Sequence, residues 1–328
     1  MKDKQNMRDF STDHRWLSIN TATVRKSAGA DLPLPDIIEA CARRGIRAIS
    51  PWRDQVAAAG LDTISRLVKT HGLELSGYCR GGMFPAVDDA GIQAAHADNR
   101  RAVDEACELG ARCLVLVVGA LPGALAGKAA HKDIALSRNQ VTDGIGTLLD
   151  YAGSCGMPLA IEPLHPMYAA DRACINTMEQ ALDVCDELDP TQSEALGVAL
   201  DVYHCWWDPK LQQQIARAGK ARLLAFHVCD WLTPTTDLLN DRGMMGDGVI
   251  DIPRIRGWIE AGAPHDVASA PAVTKVELFP PRAVLEGAGA AQRFVAVAHY
   301  ADGRTRDVGG LALFSSNNEP SAAVDADG

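Results

Sequence analysis

The sequence predicts an α/β fold: a (β/α)8 TIM barrel, incomplete at its eighth unit and followed by a short all-β tail. Three observations point there. Short apolar runs alternate with amphipathic segments seven times in succession, and serial β-then-α units give parallel strands joined by crossover helices. Several amphipathic segments stop at glycine, at Gly45, Gly72, Gly110 and Gly262, where a helix C-cap takes a left-handed residue. The span from the first strand to Gly262 also matches the roughly 250 residues of a closed barrel. A doubly wound sheet is the alternative. It carries a Gly-rich phosphate turn after its first strand, and "SINTATVRKSAGADLP" is not one.

The predicted strands are 16–20, 48–50, 73–78, 113–118, 159–162, 197–201 and 223–228. Each is a short aliphatic run of strand length, as in "CLVLVV" and "LLAFHV". The predicted helices are 35–44, 61–71, 92–109, 132–154, 178–188, 209–218 and 253–261, all amphipathic. After Gly262 the character changes. "APHDVASAPAV" reads as a linker, and "RFVAVAHY" followed by the hairpin-type "ADGR" reads as β-sheet. The expected organisation is a barrel over 1–262, a linker over 263–272 and a β module over 273–328. Residues 275–279 are the candidate for an eighth barrel strand.

The chain of 328 residues is 47% hydrophobic and 23% charged, enough for a sizeable core. Its net charge of −10 argues against a nucleic-acid partner, which needs a basic face. The charged N-terminus "MKDKQNMRDFSTDHRW" has no apolar core of a signal peptide. No run approaches the roughly 18 apolar residues of a membrane span. Nine scattered cysteines without a CxxC pair read as reduced thiols, so a cytoplasmic location is expected.

Function in a parallel barrel sits at the C-terminal strand ends, where side chains alternate between lumen and helix layer. In "PLAIEP", Leu159 and Ile161 face the helices, so Ala160 and Glu162 face in. In "GVALDVYH", Val198 and Leu200 face out, leaving Ala199 and Asp201 inward. In "LLAFHVCD", Leu224 and Phe226 face out, leaving Ala225 and His227 inward. Each strand thus sets a ligand-type residue two positions above an alanine. Glu, Asp and His on one rim form a mixed oxygen and nitrogen site for a divalent metal: Mn²⁺, Mg²⁺, Co²⁺ or Zn²⁺. A cation also makes Asp201 tolerable at the end of a core strand, where an unpaired carboxylate costs several kcal/mol.

The blocks "IEPLHP", "LDVYH", "FHVCDW" and "DRGMMGDGVIDIPRIRGWIEAG" resemble the sugar phosphate isomerase/epimerase family, the xylose isomerase-like TIM barrels, over about residues 13–262. The resemblance implies a metal held by Glu162, Asp201, His227 and a last Glu on the eighth strand. It implies substrate contacts from His204 and Arg242, with His165 in the same loop as Glu162. It also implies proton transfer alpha to a carbonyl, with the metal as Lewis acid and a pair of carboxylates on opposite faces of the substrate. Glu162 is one candidate of that pair and Glu277, in "KVELF", is the other. Small-molecule sugars or keto-polyols are the implied substrates, and a homo-oligomer is compatible with the fold. From about residue 273 the tail also resembles a bacterial Ig-like group 2 module, in which Glu277 is a surface residue. Four outcomes stay open: isomerase or epimerase, dehydratase or eliminase, an endonuclease disfavoured by acidic charge and missing histidines, or a catalytically impaired barrel fused to an adhesive β module.

Overall fold

Seven parallel staves follow one another through the computed structural model, which describes residues 17–27, 30–262, 273–279, 295–300 and 305–307. The first stave, Ser18–Asn20, pairs with the second, Ala48–Ser50, and that with Glu74–Leu75. A bend at Ser76 splits the third stave, whose second half is Tyr78–Gly82. The sheet then runs in order through Leu114–Val117, Leu159–Ile161, Leu196–Asp201 and Leu223–His227, every pairing parallel. Single bridges from Trp52 to Cys79 and from Leu75 to Ala111 carry the pairing across the bend.

The crossover helices are Leu34–Arg43, Leu61–His71, Asp89–Leu109, Ile134–Gly153, Met178–Leu188, Leu211–Arg222 and Ile252–Gly262. Side chains fix their starts. Asp88 accepts from the Gly91 amide at 2.8 Å, which begins that helix three residues before the predicted 92. Thr177 caps Gln180 in the same way. Gly72 and Gly110 hold the expected left-handed caps, whereas Gly262 falls within the last helix. A further helix, Arg53–Ala59, lies where the sequence reads as a connection. It buries Val56 alone, so it carries no apolar period to read.

Two apolar layers result. Leu159, Ile161, Val198, Leu200 and Phe226 join the large core between staves and helices. Ala160 and Ala199 join Cys79, Cys113 and Val115 in a small lumen cluster, with Ala225 packed against it. Burial of each large aliphatic side chain contributes about 1.5–3 kcal/mol. One facing expectation is corrected. Leu224 packs on the lumen cluster rather than outward, because the ladder shifts register between Leu223 and Ala225.

Among the described residues no eighth parallel strand pairs with the first or seventh stave. The expectation that 275–279 fills that place is corrected too. Val273–Phe279 pairs antiparallel with Val295–Tyr300, which pairs antiparallel with Thr305–Asp307. The alternating "FVAVAHY" run offers a ladder partner nearby in sequence, so the strand's hydrogen bonds are met locally at small loop-closure cost. The chain divides into two compact units, one carrying the barrel and the other this three-stranded sheet. The linker 263–272, the "ADGR" turn and the rest of the Ig-like resemblance over 308–328 lie outside the described residues. All nine cysteines are unbridged, six of them buried. No helix among the described residues is long and apolar enough to cross a membrane.

Close packing at Gly197 yields a direct check. A Cβ there would lie 2.2 Å from the Arg222 carbonyl oxygen and 2.8 Å from Leu224 Cγ. Gly197→Ala is expected to lower stability by about 1–3 kcal/mol through overpacking. An unchanged urea midpoint would contradict that fit.

Candidate metal centre

The fifth, sixth and seventh staves deliver three ligand-type side chains to one place. The Glu162 amide donates to the Leu116 carbonyl at 3.0 Å, which extends the fifth stave's ladder to the carboxylate-bearing residue. Asp201 ends a six-residue strand that is buried throughout. His227 ends its own strand in register with Asp201. One donor atom from each of Glu162, Asp201 and His227 lies within 4.8 Å of the other two. Metal–ligand bonds of about 2.0–2.2 Å set neighbouring donors roughly 3–4 Å apart. The set therefore fits a divalent ion after a contraction of about 1 Å or less.

His227 Nδ1 stands 2.7 Å from Glu162 Oε1, so imidazole and carboxylate are hydrogen-bonded. Burial pushes the His227 pKa down, but the Glu162 hydrogen bond and charge outweigh it and the net direction is up. Asp201 shows the opposite balance. Burial pushes its pKa up, and the charges of His204, Arg242 and His227, with the Tyr203 amide, hold the carboxyl below the usual range. Its Oδ1 accepts that amide at 2.9 Å, and its Oδ2 accepts from Arg242 Nη1 at 3.2 Å.

His204 sits on the single turn Val202–Cys205 that Asp201 caps. Its Nδ1 accepts the His165 amide at 3.2 Å, and its Nε2 lies 3.2 Å from Arg242 Nη2 and 3.8 Å from Asp201 Oδ2. Burial lowers its pKa, against the opposing pull of the Asp201 charge. His165 stacks on Trp231 at 5.0 Å and meets Trp207 edge-on at 5.9 Å. Arg242 lies 4.2 Å above the Tyr203 ring and 3.8 Å from Cys229 Sγ.

Arg242 belongs to a two-residue ribbon, Arg242–Gly243 on Asp230–Trp231, and Asp230 holds that ribbon. The fully buried Asp230 carboxylate accepts from the amides of Trp231 at 2.9 Å, Gly246 at 2.8 Å and Ile250 at 3.0 Å. The glycines of "DRGMMGDG" serve this approach: a Cβ on Gly248 would stand 2.3 Å from the Trp231 carbonyl oxygen.

Of the sequence candidates, Glu162, Asp201 and His227 come together, and His204, Arg242 and His165 surround them. Glu277 is corrected. It stands on an antiparallel ladder rather than a parallel stave, and its carboxylate meets Lys275 and, at 2.8 Å, His299 Nε2. Sequence reasoning missed Asp230 and Trp231, although the acid directly after a core strand in "FHVCDW" was the available signal. Arg242, expected to contact substrate, is engaged with Asp201 in the structure.

The xylose isomerase-like TIM barrel family matches over residues 38–264, well over half of the chain. The chain belongs to this family. A crystal structure of protein SMc04130 from Sinorhizobium meliloti 1021 is 56% identical, covering 76% of this chain and 86% of that one with a TM-score of 0.70. Two more distant barrels share the fold. The IolI protein with a bound zinc atom is 20% identical, covers 74% of this chain and 84% of its own, and has a TM-score of 0.59. The 3-keto-D-glucoside 4-epimerase YcjR from E. coli is 17% identical, covers 72% and 86%, and has a TM-score of 0.57. No curated protein matches the chain.

Asp230 supplies the prediction of this xylose isomerase-like site. Burial pushes its pKa up, but the amides of Ile250, Gly246, Gly248 and Trp231 hold the carboxyl below the ordinary range. Asp230→Ala is expected to cost about 1–3 kcal/mol by orphaning buried amides. A depressed folded pKa gives stability that is complete above the ordinary carboxylate range and lost as pH falls through the lowered value. The gap between wild type and variant in urea unfolding should therefore hold at neutral pH and narrow in strong acid. A gap that widens in acid would overturn this assignment.

Proposed function

We propose that this barrel is a divalent-metal-dependent isomerase or epimerase of a sugar or keto-polyol, working by proton transfer alpha to a carbonyl. One observation carries the reading: Glu162, Asp201 and His227, from three consecutive stave ends, hold their donor atoms within 4.8 Å. Two carboxylates and an imidazole suit Mn²⁺, Mg²⁺, Co²⁺ or Zn²⁺. A metal bound by these three would polarise the substrate carbonyl and so acidify the adjacent C–H.

The chain's own residues do the rest. Glu162 is the base that takes the alpha proton and returns it, because its carboxylate is anchored by its backbone at the rim and oriented by its hydrogen bond with His227. Arg242, fixed by Asp201, holds positive charge beside the reacting carbonyl. His204, buried, supports the Glu162 loop by accepting the His165 amide. Trp207 and Trp231, with His165 between them, form an aromatic wall that limits water. The unbridged thiols support a cytoplasmic setting.

A second reading is a metal-binding barrel without turnover. What favours it is the donor group itself, which among the described residues contains Glu162 and Asp201 but no further carboxylate for the opposite face.

A ketose panel in deuterated water with Mn²⁺ separates these. Wild type is expected to exchange deuterium into the carbon next to the carbonyl of at least one ketose. Glu162→Gln should lose exchange by about 10²-fold or more, the scale of general-base catalysis. Bound metal with no exchange on any ketose would replace the enzyme reading with the second one. Exchange unaffected by Glu162→Gln would remove Glu162 as the base.

A further inference from the structure

Two thiols meet at the end of the barrel that the candidate metal centre does not use. Cys107 lies in the last turn of helix Asp89–Leu109, and Cys155 lies just past helix Ile134–Gly153. These helix ends lead into the N-terminal ends of the fourth and fifth staves, Leu114–Val117 and Leu159–Ile161. The ligand-type residues stand at the opposite, C-terminal stave ends. Cys107 Sγ donates to Cys155 Sγ at 2.7 Å, across 48 residues of sequence.

Both sulfurs sit on fixed backbone. The Cys107 carbonyl accepts the Gly110 amide at 3.1 Å, and the Cys155 amide donates to the Ala152 carbonyl at 3.2 Å. Gly156, at φ 67°, then turns the chain toward the fifth stave. About one turn back along the same two helices, Tyr151 Oη donates to Asp104 Oδ1 at 2.8 Å, and Arg100 lies 5.3 Å from the Tyr151 ring. The two contacts stack along one helix–helix seam. A disulfide needs its sulfurs about 2.0 Å apart without backbone movement, and this seam holds them within one short approach of that.

Exposure and charge set the order of reaction. Of the nine cysteines Cys155 alone is exposed, and Cys107 is half-buried. Burial, then the hydrogen bond and charge of Cys155, then Asp104, push the Cys107 thiol up to about 12. Cys107 is therefore a poor first nucleophile, and Cys155 meets an oxidant first. Once the Cys155 sulfur is bonded its charge is gone, and that part of the hold on Cys107 goes with it. Neither thiol stands at a helix N-terminus, where a stabilised thiolate makes a disulfide easy to reduce.

We propose that Cys107 and Cys155 are an oxidation site, which a small-molecule disulfide of the oxidised-glutathione class converts into an intrachain disulfide clasping the two helix ends. The Cys155 thiolate attacks one sulfur of oxidised glutathione and expels one glutathione thiolate. The Cys107 thiolate then attacks the Cys155 sulfur and expels the second. Two protein thiols lose two electrons and two protons, and the oxidant takes up both as two molecules of glutathione. In a reducing compartment the pair stays as thiols, and the clasp closes when the glutathione pool turns oxidising.

The test equilibrates native full-length protein in glutathione buffers from fully reduced to fully oxidised. Samples are quenched in acid, their free thiols alkylated with N-ethylmaleimide, and their tryptic peptides mapped without reduction. Peptides 102–112 and 139–172 each hold one of the two cysteines and no other. They are expected linked, two hydrogens lighter than their sum, in under about a tenth of molecules in reduced glutathione and over about nine-tenths in oxidised. Closing a loop of this length should raise the urea midpoint by about 0.5–1 M, reversibly with dithiothreitol. Tryptophan fluorescence reads the barrel's midpoint, because all six tryptophans precede residue 262. Cys155→Ser, at an exposed position, should remove both the linkage and the shift, and Cys107→Ser should leave glutathione on Cys155. No linked peptides in native wild type, linkage that forms only in urea, or an unmoved midpoint in linked protein would overturn the proposal.

Discussion

A carboxylate buried at the end of the sixth stave is the constraint around which the rest of this site is built. Asp201 is buried, and leaving a buried ion unpaired costs about 3–5 kcal/mol. The chain meets this with the Tyr203 amide and with Arg242, 41 residues further on and 3.2 Å away. Arg242 can only stand there if the segment after the seventh stave folds back, and Asp230 enforces that fold with its three backbone amides. One buried acid therefore demands an arginine, and a second buried acid positions the arginine. The polar network is satisfied member by member, which is what makes such a network tolerable in a core.

The same balance leaves room for a cation. Arg242 offsets one of the two carboxylates at the rim, and His227 is hydrogen-bonded to the other. Glu162, Asp201 and His227 would hold a divalent ion there, and because such ligands bind in their deprotonated forms its affinity would fall as pH falls. The lumen cluster below, small in its side chains, keeps the floor of the site dry without filling the rim.

Much of this was legible in the sequence because the relevant signals are local. Period-two alternation in "PLAIEP" and "GVALDVYH" reports which side chains face the lumen, and both strands follow it. The seventh stave kept Ala225 and His227 in phase but misplaced Leu224, since a register shift leaves no trace in hydropathy. Helix Arg53–Ala59 was invisible for a related reason: a helix that buries one residue has no stripe. Long-range electrostatics were hidden altogether. Nothing in "DRGMMGDG" announces that Arg242 reaches Asp201. The 273–279 strand fitted a barrel stave by phase alone. Its direction of pairing, which phase does not encode, makes it part of an antiparallel sheet.

The central claim is that Glu162, Asp201 and His227 share one divalent ion. Anomalous diffraction from crystals soaked in Mn²⁺ tests it most directly. The account predicts one strong peak about 2.0–2.3 Å from a donor atom of each of the three residues. A peak bound elsewhere, or density showing the His227–Glu162 contact intact with no ion beside it, would contradict the account.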